Sequence, residues 1–325
     1  MGTPIKDAEL LELADTVLES KRLPEVSYRL QRVIGEGAQG VVFLAVQRQV
    51  HAEQQVVVKL LRPRAVRELA GLAAAAISKE VTALERLSAR IPPTPFVVRF
   101  LDTGMLRIRD NALELPWLAV EYIEGGPEGS TLRARVANSL ASQGIAFDVA
   151  RARRAISSMT AGVSAIHEVG VVHRDVNPGN VLCCGTGETE VFKIADFGLA
   201  RVSSVTTFGS VLLGTPGYCA PEQSFPDNIG VGPYTDVFSL ACSAYFVLTG
   251  EAYFDAPTIP EMLVAVHAAE RRTLHEAQRL CPELRVNGSL CAQLDRVISR
   301  ATAADPRRRP QNVQELRALL EPLLF

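Results

Sequence analysis

Gly35, Gly37 and Gly40 in the run GEGAQG follow the spacing G-x-G-x-x-G, in which backbone N–H groups can approach phosphate oxygens because no Cβ intervenes. That spacing alone is shared by dinucleotide-binding turns and by loops that cover nucleoside triphosphates. The residues after Gly40 separate the two. VVFLAV continues as a strand, whereas a dinucleotide fold needs a helix whose N-terminus meets the pyrophosphate. No Gly-Lys-Ser/Thr occurs at the spacing of the other common phosphate loop. A strand–loop–strand hairpin laid over phosphates is what remains. Only five lysines occur in the chain (Lys6, Lys21, Lys59, Lys79, Lys193), and Lys59 closes the strand VVVK next to that hairpin.

A loop and a cation do chemistry only where a scaffold holds them. The 325 residues, 47% of them hydrophobic, suffice for one large domain or two smaller ones sharing a cleft. Between Tyr28 and Tyr122 the runs VVFLAV, QVVVKL, FVVRFLDTG and LAVEYI read as strands, interrupted by one helical stretch at about 64–90. Segment 103–116 reads as an extended hairpin loop, longer than a tight turn needs. After Gly125, Gly126 and Pro127 the period becomes helical, with Ile156, Met159, Val163 and Ile166 on one stripe. Ile5, Leu10, Leu11, Leu13, Ala14, Val17 and Leu18 predict an amphipathic helix over 5–18. The expected organisation is α+β: an N-terminal helical extension at 1–27, a small β-rich lobe at 28–123 and a larger, mainly helical lobe at 124–325.

Composition excludes several functions. A formal charge of −2 gives no general attraction to nucleic acid or to an anionic membrane. Arg151, Arg153 and Arg154, like Arg307 to Arg309, read as a solvated face or structural ion pairs. Six cysteines with no CxxC pair point to a reducing compartment, and no apolar window reaches membrane-spanning length. A cytoplasmic chain without membrane insertion is expected.

The run HRDVNPGN, from His173 to Asn180, is followed sixteen residues later by Asp196-Phe197-Gly198, and the pair resembles the catalytic loop and metal-binding turn of protein kinases. With the glycine loop and Lys59, the resemblance extends over nearly the whole chain and is nearest to the eukaryotic-like Ser/Thr kinases of bacteria. It implies a bilobal kinase fold and transfer of the γ-phosphate of ATP, with Mg²⁺, to Ser or Thr of protein substrates. Asp175 then orients the acceptor hydroxyl and takes its proton, while Asn180 and Asp196 supply oxygen ligands for Mg²⁺. Lys59 pairs with the helix glutamate Glu80, with Glu85 as the fallback. The hinge makes Val120 the gatekeeper and sets backbone groups of Glu121 and Ile123 against the adenine, between apolar walls from Val42, Val57 and Leu182. His173 resembles the core-facing histidine of the family, and His167 reads as structural. Thr215 in GTPGYCAPE points to an aliphatic hydroxyl acceptor. Asp236 matches the aspartate that braces the catalytic loop, and Arg309 the arginine that pairs with Glu222. Phosphate on Thr206, Thr207 or Ser210, held by Arg174, implies activation-loop regulation.

Two residues depart from the family pattern. Val57 stands where alanine is usual, narrowing the adenine wall. Asn177 replaces a lysine that supplies charge at the transferring phosphate, so turnover is expected to be slow and Asn177→Lys to raise it, unless Arg201 fills the role. The alternative reading is a kinase-fold module that binds nucleotide or a partner and transfers phosphate poorly. The 5–18 helix is expected to dock on the small lobe or on a second copy in a homodimer.

Overall fold

The computed structural model describes residues 10–37, 40–62, 82, 85–89, 93–108, 113–196, 215–224, 230–268 and 271–324. Glu80, Phe197, Gly198, Arg201, Ser203, Ser204, Thr206, Thr207, Ser210 and residues 1–9 lie outside them, as does most of the expected 64–90 helix. The chain divides into two compact units, one drawn from Met1–Ala89 and Val98–Tyr122, the other from Arg90–Val97, Ile123–Gly198 and Thr206–Phe325.

The first unit is built on a six-stranded antiparallel sheet in the order β1-β2-β3-β4-β6-β5. Its strands are β1 (Val17–Glu19), β2 (Ser27–Glu36), β3 (Gly40–Gln49), β4 (Ala52–Leu61), β5 (Phe100–Ile108) and β6 (Leu113–Glu121). Alternation decides which face is core. Val41, Phe43 and Ala45 of β3 join Val56, Val58 and Leu60 of β4, with Tyr28, Leu115 and Trp117, in one buried cluster. Val42, Val57 and Lys59 take the other face, half-buried, with Val42 opposite Lys59 and Val57 opposite Val120.

Two local expectations change. The 5–18 helix does not reach Leu18: only Leu10 and Leu11 are helical among the described residues, and Val17 to Glu19 form an edge strand paired with β2. The chain turns at Asp15, whose φ is 65°, and exchanges backbone hydrogen bonds with Leu30 from Asp15 and Thr16. Sheet pairing there outweighs a short helix that is marginal by itself. Residues 10–26 therefore belong to the first unit, Leu10 and Leu18 being part of its core. Likewise the expected loop over 103–116 is mostly ladder, since β5 runs to Ile108 and β6 begins at Leu113. Leu106, Leu115 and Trp117 bury one face of that hairpin, and Arg107 pairs with Glu114 across it at 2.7 Å.

The second unit is mainly helical: α1 (Leu132–Gln143), α2 (Val149–Glu168), α3 (Pro233–Thr249), α4 (Ile259–His267), α5 (Pro282–Arg285), α6 (Gly288–Ala301) and α7 (Val313–Leu324), with the hairpin β7 (Val181–Cys184) and β8 (Val191–Ile194). Thr131 and Asp148 cap α1 and α2 by accepting backbone N–H groups. Ile156, Met159, Val163 and Ile166 bury the predicted stripe of α2. Helix α3 is buried from Thr235 to Thr249, so it forms the central post on which the loop after α2 is hung. The six cysteines are free thiols, and burial pushes Cys183 up to about 12 and Cys281 up to about 11, which leaves both unreactive at neutral pH.

Candidate active site

The 170–180 loop is anchored from below by one carboxylate. Asp236, fully buried in the first turn of α3, accepts the His173 N–H at 2.8 Å and the Arg174 N–H at 2.7 Å. His167 Nε2, at the end of α2, lies 2.7 Å from the same carboxylate. Burial by itself would raise the Asp236 carboxyl. The His167 hydrogen bond, the electrostatic influence of the His167 and His173 imidazoles and the Arg174 N–H outweigh it and hold the group below the usual carboxylate range. The anchor holds Arg174 in a left-handed conformation, φ 67°, that arginine seldom adopts. Gln223 secures the same residue by its other backbone group, donating to the Arg174 carbonyl at 2.7 Å while its Oε1 accepts from Ala220 N. Gln223 escaped sequence reasoning; the only signal was its place directly after Ala-Pro-Glu.

Held in this way, Asp175 presents both carboxylate oxygens to partners. Thr215 donates its hydroxyl to Oδ1 at 3.0 Å, and Asn180 donates Nδ2 to Oδ2 at 3.0 Å and to the Asp175 carbonyl at 2.9 Å. Asn177, 4% exposed, donates Nδ2 to the Asp175 carbonyl and to Thr215 Oγ1, both at 3.1 Å, and accepts the Gly179 N–H at 2.9 Å. The position read from sequence as a missing cation is thus a buried bridge that joins the 170–180 loop to Thr215. A lysine there would lose the acceptor that satisfies Gly179, which changes the outcome expected of Asn177→Lys.

Asn180 and Asp196 meet at the open end of the β7–β8 hairpin: Val181 pairs with Ile194, and Ala195 N donates to the Asn180 carbonyl at 2.8 Å. Because Asn180 commits Nδ2 to Asp175, its Oδ1 is turned the other way. Asp196 is exposed in a left-handed conformation, φ 57°. Two hard oxygen donors with room for water fit Mg²⁺, which keeps several waters and takes one or two protein oxygens. Among the described residues no group of three His, Cys, Asp or Glu side chains gathers as for a tighter metal site. Leu182 is half-buried on β7, and Ile123 is buried.

Arg309 and Glu222 form a buried fork, with N–O distances of 2.8 and 3.0 Å. Ala303 O, Ala304 O and the Thr235 hydroxyl complete their hydrogen bonding. The expected structural pairing is therefore present. Arg151 is also structural: it binds Glu190 and Glu128, while the buried Arg135 binds Glu190 and the carbonyls of Gly125, Gly129 and Gly185.

In the first unit the three glycines divide. A Cβ on Gly40 would lie 2.2 Å from the Leu60 carbonyl, so strand pairing alone demands glycine there. Gly35 would meet only Val42 at van der Waals distance, Gly37 would meet nothing within 4 Å, and neither has a positive φ. Among the described residues, packing gives no reason for glycine at 35 or 37. Of the two glutamates offered as partners for Lys59, Glu85 is engaged by Arg22 at 2.7 Å. Glu121 ends β6, with its N–H bonded to Arg99 O and its carboxylate to Arg99 N–H.

Residues 28–319 match the protein kinase domain family. The serine/threonine-protein kinase PknB of Mycobacterium tuberculosis is 31% identical over 297 residues, 90% of this chain and 42% of that protein. PknJ of Mycobacterium bovis is 32% identical over 87% of this chain and 43% of its own length, and PksC of Streptomyces coelicolor 30% identical over 89% and 48%. The chain thus spans less than half the length of these curated relatives. The crystal structure of the Mycobacterium tuberculosis PknI kinase domain superposes with a TM-score of 0.62 at 22% identity, covering 91% of this chain and 95% of that one, and shows a shared fold.

Proposed function

The chain belongs to the protein kinase family, and we propose that it is an ATP- and Mg²⁺-dependent enzyme that phosphorylates serine or threonine in protein substrates. The observation that carries this reading is the carboxylate of Asp175, fixed from two sides by Thr215 and Asn180 on a loop that Asp236 and Gln223 clamp. A base placed in this way needs no rearrangement of its own to accept the proton of an incoming hydroxyl. When bound, Mg²⁺ would neutralise phosphate charge, and Asn180 and Asp196 are the residues that would hold it. Thr215 and Asn177 keep Asp175 aimed. Gly35 and Gly37, for which the described residues give no packing reason, suit the close approach of a polyphosphate to backbone N–H groups, and Lys59 supplies a cation beside them. Val42, Val57, Glu121, Ile123 and Leu182 belong to the adenine in this reading, and phosphate on Thr206, Thr207 or Ser210 to its regulation. Among the described residues no helix is long and apolar enough to cross a membrane.

Intact mass after incubation with ATP and Mg²⁺, alone and with a generic Ser/Thr substrate protein, tests the proposal. Wild-type protein should gain or transfer phosphate, and Asp175→Asn should be about 10²- to 10⁴-fold slower while still binding nucleotide. Equal transfer by wild type and Asp175→Asn would reject Asp175 as the base. No transfer with nucleotide bound would favour the binding-module reading.

A further inference from the structure

Residues 10–26 precede the part of the chain that matches the kinase family, yet they are annealed to the first unit. Their last turn is fixed twice, by Ser20 N donating to Val26 O at 3.0 Å and by Ser20 Oγ accepting Leu23 N–H at 2.8 Å. That turn projects Arg22. Its guanidinium lies 2.7 Å from Glu85, 3.5 Å from Asp102 and 5.4 Å from the centroid of the Phe100 ring. Asp102 and Phe100 belong to β5, and Asp102 is fully buried. Glu85 instead stands on the helical residues 85–88, five positions after Glu80 in the chain. Arg22 therefore ties a helix to a strand from a segment annealed to the opposite edge of the sheet.

We propose that Arg22 is a positioning residue, which sets the orientation of the helical residues 85–88 by bridging Glu85 to Asp102 and Phe100. The inference rests on the kinase reading, in which Glu80, five positions before Glu85 in the chain, orients Lys59. The physical logic is asymmetric. Asp102 is fully buried on β5, so Arg22 has a base within the sheet, and its cation lies over the Phe100 ring as well. Glu85 is half-exposed, so the bond to it is weak enough to make and break without unfolding the unit. An ion pair of that kind shifts a two-state balance by a factor of about two to five.

Glu85→Gln is the cleanest test, since it removes the charge that ties the helical residues to Arg22 and leaves the Arg22–Asp102 pair intact. The rate constant for transfer should fall about two- to five-fold, with the Michaelis constant for ATP within about two-fold of wild type. Amide hydrogen exchange in a peptide spanning 82–89 should quicken by a similar factor, while peptides from β3 and β4 stay unchanged. Arg22→Met should act in the same direction, Arg22→Lys should restore most of the rate, and Arg22→Met with Glu85→Gln should be no slower than the slower single variant. Wild-type rate and exchange in Glu85→Gln would overturn the proposal, as would rate losses that multiply in the double variant. If wild-type protein transfers no phosphate, the kinase reading fails, and exchange over 82–89 alone decides: faster in Glu85→Gln upholds the bridge, unchanged removes it.

Discussion

Changing one atom of Asn177 tests how the 170–180 loop is held. Asn177→Asp keeps the shape and the Oδ1 that accepts Gly179 N–H, but turns the donor Nδ2 into an oxygen. That oxygen would stand 3.1 Å from both the Asp175 carbonyl and Thr215 Oγ1. Two hydrogen bonds are lost. The Thr215 hydroxyl gains a second carboxylate to point at, so its 3.0 Å bond to Asp175 Oδ1 is contested. At about 1 kcal/mol net for each bond, roughly 2 kcal/mol of orienting energy goes, before any repulsion between the two carboxylates. If all of it is felt in the transition state, the rate constant for transfer falls about 30-fold, with little change in the Michaelis constant for ATP. Single-turnover transfer with ATP and Mg²⁺, set beside the urea midpoint of each variant, separates this from a folding defect. Asn177→Lys completes the series. It removes the acceptor for Gly179 N–H at a site only 4% exposed, so a loss of about 1–3 kcal/mol of stability and no acceleration are expected. A rate within two-fold of wild type for Asn177→Asp, or a clear acceleration by Asn177→Lys, would refute the bridge.

Arg309→Met should cost about 3–5 kcal/mol, because it strands the buried carboxylate of Glu222, and should appear as a lower urea midpoint at unchanged slope. Asp236 has a folded-state carboxyl held below its unfolded value, so its contribution is complete above the ordinary carboxylate range and is lost as pH falls through the lower, folded value. Thermal melts from pH 7 down to pH 3 should therefore show a steeper acid loss in wild type than in Asp236→Asn, which starts less stable; parallel curves would contradict the assignment.

Much of the candidate site was legible because its residues are local in the chain. Asp175, Asn177 and Asn180 sit within one loop, Asp196 comes just after a short hairpin, and the alternation of β4 puts Lys59 on the same face as Val57 whatever surrounds them. The stripe of α2 was legible for the same reason: a period of 3.6 is written into consecutive residues. The fork between Glu222 and Arg309 spans 87 positions and was expected only because a known family carries it.

What only the tertiary structure decided depends on partners distant in the chain. Asn177 reads as a lost charge until Thr215, 38 positions on, is found against its amide. Residues 17–19 read as the end of a helix until the open edge of β2 offers them hydrogen bonds that a short helix cannot match. Arg22 is one of many arginines in the sequence and becomes a bridge only where β5 brings a buried carboxylate and an aromatic ring beneath it. Residue type and spacing determine what a segment can do alone; closing the chain on itself determines which of those options lowers the free energy, because a buried donor or acceptor must find its partner wherever the fold has put it.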